Sequence, residues 1–149
     1  MSYGERSAWA RLVTTLAVYL PYFAYIANSI GSGEFSIGAV MEAFILAVIC
    51  SIVLIIVVHA ILVIRFGREQ RDERDTAIDA RSLKVAYFFL VSIFFTALCG
   101  IAVPLALATT AEVSALPGFL LASQVMLLCF VLAEMVRFTT QIVGYRRGI

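Results

Sequence analysis

Apolar residues in this chain run on rather than alternate. Continuous apolar stretches occupy residues near 12–28, 43–64, 83–108 and 117–136, each able to cross about 30 Å of hydrocarbon as an α-helix rising about 1.5 Å per residue. Strands of a membrane barrel would alternate and turn after roughly ten residues, so the pattern predicts helices. Gly31, Ser32 and Gly33 follow the first stretch and Pro117-Gly118 opens the last. Such short outer connections predict antiparallel neighbours, hence an all-α, integral membrane four-helix up-down bundle in a single transmembrane domain, 1–149. The segment 65–82 is different. Arg65 and Glu69, Arg68 and Asp72, and Arg71 and Asp75 are each four apart, the spacing of ion pairs on a helix that leaves the membrane. Gly67 softens the end of the second helix, and Thr76 with Asp79 reads as a capping box, starting the third helix about two turns before the lipid.

Composition removes alternatives. Of 149 residues 62% are hydrophobic and 14% charged, and the mean hydropathy is +1.00. A soluble domain is roughly half apolar and a quarter charged. The segments outside the four stretches are too short for a separate catalytic domain. The net charge is +1, with acids among the basic residues, whereas a nucleic-acid partner needs a clustered positive excess.

The distribution of charge sets orientation. Arg6 and Arg11 precede the first span; Arg65, Arg68, Arg71, Arg74, Arg81 and Lys84 lie between the second and third; Arg137, Arg146 and Arg147 end the chain. These are all 11 basic residues, while residues 29–42 and 109–116 hold only the acids Glu34, Glu42 and Glu112. The positive-inside rule then places both termini and the 65–84 segment in the cytoplasm, N-in and C-in, in an inner (plasma) membrane. A cleaved signal peptide is the competing reading of the first stretch. Tyr25 argues against it, being bulky where a cut after Ala27 wants a small residue.

Few residues carry candidate chemistry. Cys50, Cys99 and Cys129 fall one per span without C-x-x-C spacing, so they encode no zinc site or redox pair and read as buried packing. His59 is the only histidine; without an attachment motif it does not imply haem, and no cofactor or metal is expected. Glu134 lies inside the last span, three residues from Arg137, with which it can pair. Depth counting puts His59, Tyr87, Glu134 and Arg137 in one inner-leaflet layer, a predicted polar cluster that shares hydrogen bonds between helices. With a protonated histidine it would sense pH or pass protons; with a neutral one it would fix helix register. Tyr19, Tyr22 and Tyr25 surround Pro21 in the first span, where a kink reads either as tilt with ordinary packing or as the opening of an outer pocket for a lipid or apolar ligand, the deeper Tyr19 hydroxyl needing a partner. Two stripes of small residues, Ala39, Ala43, Ala47 and Ser51, and Ser92, Thr96 and Gly100, are expected to bring helices close within the bundle.

Asp72-Glu73-Arg74-Asp75, then Ile78, Arg81 and Ala86-Tyr87, form a pattern at the entrance to the third span. It resembles the signature of an uncharacterised family of small four-span bacterial membrane proteins, which reads approximately Glu-Arg-Asp, a spacer, Ile, Arg, then Ala-Tyr. Ser82 after the Arg departs from it. The resemblance implies a bacterial membrane origin and no mechanism. Asp72, Glu73, Arg74, Asp75 and Arg81 read either as a self-satisfied salt-bridge network, with Arg74 held by carboxylates, or as a docking surface for another protein.

These observations predict an accessory, regulatory or interaction protein rather than an enzyme. Its partners would be membrane lipids, a protein at 65–84 and, in a homodimer, a second copy. The alternative is a small transporter or pore built as a homo-oligomer. The orientation is directly testable: a cysteine introduced at Glu112 should react with an impermeant thiol reagent only from outside the cytoplasm, and labelling only from within would reverse the topology.

Overall fold

The structure, a computed structural model, describes residues 3–32, 36–67, 72–102 and 115–147. Among the described residues it is all helical: α1 (Tyr3–Ser32), α2 (Ile37–Phe66), α3 (Glu73–Ala97), which continues as a π-helical turn over Leu98–Ala102, and α4 (Ala115–Arg147). All four are long and apolar enough to cross a membrane. The residues from 103 to 108 in the third apolar stretch, and Glu112 beyond them, lie outside the described residues, as do Arg68, Glu69 and Arg71 of the expected charge pairs.

Each helix begins before its apolar stretch. α1 begins at Tyr3 rather than near residue 12, and α4 runs to Arg147 rather than stopping near 136. The added turns are polar and are held by other helices. α1 passes unbroken through Pro21. Pro117 sits in the first turn of α4, where a proline removes no helical hydrogen bond. The start of α3 corrects the expected cap. Asp72, not Thr76, is the N-cap: its side chain accepts from the Glu73 amide at 2.7 Å, and Asp75 accepts from the Asp72 amide at 3.4 Å. The carboxylate outcompetes the hydroxyl because Glu73 and Asp75 then place negative charge on the positive end of the helix dipole. Between α2 and α3 the helix does not run on. Gly67, at φ 72°, closes α2 by returning its amide to the Val63 carbonyl at 2.9 Å, in a conformation that only glycine adopts without strain.

The packing order differs from the order in sequence. α1 packs between α2 and α4, and α4 packs between α1 and α3; the extensive contacts of α2 are with α1 and those of α3 with α4. Among the described residues the order of extensive packing is therefore α2, α1, α4, α3. Cross-helix pairs set direction: Tyr22 meets Gln124 and Glu5 meets Arg146 between α1 and α4, while Asp79 meets Gln141 between α3 and α4. Neighbours run antiparallel, so both termini and the α2–α3 connection share one end, hereafter the basic end.

Two contact zones hold this order. Val18, Tyr22 and Ile26 of α1, with Val40 and Ala47 of α2, form one buried cluster. Ala43 and Ala47 are one turn apart on α2 and let it approach α1, as the small-residue stripe predicted. The second stripe behaves differently: Ser92, Thr96 and Gly100 are exposed, Thr96 returning its hydroxyl to the Ser92 carbonyl at 2.9 Å. On α3 the buried residues are Ile78, Ser82 and Ala86, four apart on the face toward α4. Ser82 is 0% exposed and its hydroxyl bonds the Asp79 carbonyl at 2.8 Å. Most of α2 is uncovered, from Ile45 and Leu46 to Ile56 and Ile64, an apolar surface of the kind that suits a membrane or a partner better than water. Of the cysteines, Cys129 is buried as expected, whereas Cys50 and Cys99 are exposed, because α2 and α3 each turn only one face inward.

The close α3–α4 approach depends on a small residue at position 82. Ser82→Leu should cost about 1–3 kcal/mol through overpacking. Ile64→Leu, on a fully uncovered face, should stay within about 0.5 kcal/mol. Thermal unfolding of the two variants in the same detergent measures the difference.

Candidate functional site

The polar side chains of the four helices converge at the basic end. A cavity of about 410 Å³ opens there, bounded by Tyr3, Ser7 and Arg11 of α1, His59 of α2, Asp75 and Asp79 of α3, and Gln141 and Tyr145 of α4. Spacing puts them there: Ser7 and Arg11, Asp75 and Asp79, and Gln141 and Tyr145 are each four residues apart and so project from one helix face.

His59 is fixed by α1. Arg11 Nε donates to His59 Nε2 at 3.3 Å, and the Ser7 hydroxyl lies 3.3 Å from the same nitrogen. An arginine has no acceptor, so Nε2 carries the lone pair and Nδ1 carries the proton, which it donates to the Ile55 carbonyl at 3.0 Å. The lone pair that would take a proton from Ser7 is thus shared with a guanidinium, and a backbone carbonyl stands where a nucleophilic triad has a carboxylate. On the opposite wall, Gln141 Nε2 donates to Asp79 Oδ1 at 2.7 Å. Beyond the cavity, Arg146 Nε donates to Glu5 Oε1 at 3.2 Å, joining the ends of α1 and α4, and its guanidinium lies 5.7 Å from the centre of the Trp9 ring. Tyr145 closes on Gly4 so tightly that any side-chain carbon at position 4 would collide with the phenol ring.

The expected cluster of His59, Tyr87, Glu134 and Arg137 divides. Glu134 and Arg137 do pair along α4, with Nη1 to Oε1 at 3.6 Å. Among the described residues His59 bonds to α1 and its own helix instead, and Tyr87 is 62% exposed, its ring against Phe88. Equal depth was the sequence argument, but depth does not fix direction around a helix axis. With α1 between α2 and α4, the imidazole meets Ser7 and Arg11 first.

The entrance motif is also redistributed. Asp72 and Asp75 cap α3, and Glu73 adds charge to its first turn. Arg74 contacts no carboxylate among the described residues; its Nη2 donates to the Tyr145 carbonyl at 3.5 Å. That carbonyl belongs to the last turn of α4, where unsatisfied acceptors attract a cation. Arg81 faces a separate groove with Arg147.

In the expected outer pocket, Tyr22 and Tyr25 line a groove of about 600 Å³ between α1 and α2, together with Pro21, Glu42 and Cys50. Tyr19 instead packs its ring on Tyr22 and Phe23. The buried hydroxyl partner belongs to Tyr22, which donates to Gln124 Oε1 at 2.5 Å. Gln124, Ser7 and Gln141 are not singled out by the sequence, and Asp79 enters it only as the expected capping partner of Thr76. The signal was present in Gln124, an amide within an otherwise apolar run.

If His59 works with Arg11 and not with Glu134, double-mutant cycles should separate the pairs. His59→Leu and Arg11→Met should be non-additive by at least about 0.5 kcal/mol, whereas His59→Leu and Glu134→Leu, which share no partner, should add to within about 0.5 kcal/mol. Thermal or denaturant unfolding of the purified variants gives both values.

Compared with known proteins, the chain matches no protein-family model, no curated protein and no solved structure.

Proposed function

We propose that this is an accessory, regulatory or interaction protein of a bacterial inner membrane, with both termini cytoplasmic, that presents its four-helix polar head to another protein and carries out no covalent chemistry of its own. The observation that carries the reading is the composition of the chamber at the basic end. Four helices contribute to it, with Arg11 and His59 on one wall and Asp75 and Asp79 on the other, around about 410 Å³. A site with both signs of charge suits a partner's polar side chains. Its groups are already engaged, Arg11 with His59 and Gln141 with Asp79 across helices and Asp75 in the cap of its own helix. This supports a rigid recognition surface, and the imidazole lone pair that acid–base chemistry would use is shared with the Arg11 guanidinium.

The transporter reading, a pore built from several copies, finds less support. Beyond Thr14 the buried face of α1 continues as Val18, Tyr22 and Ile26, so the polar chamber has an apolar floor. The uncovered face of α2 that a second copy would meet is also apolar.

The proposal is tested at Arg74, whose exposed contact to Tyr145 contributes little to stability, about 0–1 kcal/mol. A photo-cross-linking residue replacing Glu73 in the host membrane should trap one discrete protein. Arg74→Ala should abolish that adduct with the thermal midpoint of the purified chain unchanged. A large loss of stability with the adduct intact would overturn the reading, as would proton or ion flux through liposomes containing the chain alone.

A further inference from the structure

We infer that the groove between α3 and α4 beside the chamber is a binding site for the phosphate headgroup of an anionic phospholipid. It has a volume of about 320 Å³ and is walled by Ala77 and Arg81 of α3 and by Thr140, Gly144 and Arg147 of α4. Each wall is one helix stripe: 77 and 81 are four apart, and 140, 144 and 147 are spaced by four and three. The floor is the close helix contact itself: Gly144 has no side chain, and the position its Cβ would take lies 3.0 Å from Ile78 of the facing helix.

Two guanidiniums face this groove, and neither has a carboxylate among the described residues. The reason lies in the sequence. Residues three and four before Arg81 are Ile78 and Ala77, and those before Arg147 are Gly144 and Val143, so neither arginine has an acid one turn back on its own helix. The acids of α3 that could have served, Asp75 and Asp79, line the chamber instead. Lys84, three residues beyond Arg81, adds a further positive charge on the same side of α3. The result is a concave site with uncompensated positive charge and forked donors that match phosphate oxygens.

Depth selects the source of that phosphate. Lys84 and Arg137 are the last charged positions before the unbroken apolar parts of α3 and α4 on the way from the basic end, apart from Glu134, which pairs with Arg137. Arg81 and Thr140 lie three residues outside them, about 5 Å along the helix axis, which is the thickness of a headgroup layer. From Arg81 the same stripe continues into the apolar region through Val85 and Phe88, 41% and 69% exposed, a surface along which an acyl chain can lie. Basic pockets between spanning helices bind anionic headgroups in this way.

Native mass spectrometry of the chain purified in detergent, with equal amounts of dioleoyl phosphatidylglycerol and dioleoyl phosphatidylcholine added, tests the assignment. A cation at an anionic lipid surface is worth about fivefold in binding, so the wild type should retain phosphatidylglycerol in at least about fivefold excess. Arg81→Gln combined with Arg147→Gln should bring retention near parity. Ala77→Leu, at an exposed helix position where folding is not at risk, should do the same by filling the groove without removing charge, and circular dichroism of each variant verifies that it is folded. Arg65→Gln, which removes a basic residue of α2 outside the groove, should leave the preference intact. Parity in the wild type, an unchanged preference in both groove variants, or an equal loss in Arg65→Gln would overturn the site. Displacement of the lipid by millimolar inorganic phosphate would overturn the lipid assignment in favour of a free-anion site.

Discussion

Four helices long and apolar enough to cross a membrane impose one constraint: hydrocarbon holds no water to solvate a polar group, which is best paired or moved to the end of a helix. Backbone amides and carbonyls meet the constraint by forming four long helices. Side chains meet it by segregation. The charged residues concentrate at one end, where α1, α3 and α4 continue past their apolar stretches, and the polar pairs that tie helices together are formed there. Among the described residues Tyr22 with Gln124 is the exception, a hydrogen bond between α1 and α4 far from that end. Pairs of this type contribute about 0.6 kcal/mol on average in lipid. Such a bond fixes register more than it adds stability.

The position of α1 follows from the same rule. Its most apolar stretch is the least hydrophobic of the four, and Glu5, Ser7, Arg11, Thr14 and Tyr22 along the helix need partners. Lying between α2 and α4, it offers partners on two sides: Arg11 and Ser7 turn to His59, while Glu5 and Tyr22 turn to Arg146 and Gln124. α2 is the opposite case. Almost uniformly apolar, it needs one neighbour only, and lipid suffices for the rest of its surface. Helix order in the packing thus departs from chain order, with the polar groups of α1 paired on both of its sides.

Segregation at the basic end also sorts charge by face. On α3, Asp75 and Asp79 turn toward the chamber while Arg81 turns toward the α3–α4 groove. An acid and a base on one helix that might have neutralised each other are held apart by a difference of two or six positions, and two sites of different character arise within a few turns. One contains both signs of charge and is largely self-satisfied. The other is positive. Arg74, lying outside both, is drawn to the carbonyl end of α4.

The sequence by itself determined the four helices, their apolar cores, the gathering of charge at one end and the local Glu134–Arg137 pair. Each of these depends on spacing along one helix or on the cost of charge in lipid, and both are legible one residue at a time. Helix ends were less legible. Thr76 and Asp79 have the spacing of a cap, but Asp72 and Asp75 have it too, and only the actual start of α3 decides between them. The site needed the tertiary structure. His59, Tyr87 and Glu134 share a depth, yet depth leaves the angle around each helix axis free, and it also leaves open which helix is next to which. Once α1 stands between α2 and α4, His59 faces Arg11 rather than Glu134. Gln141 and Asp79, 62 residues apart in the chain, become partners for the same reason: neighbour identity is a property of the packed set of helices and is written in no single one of them.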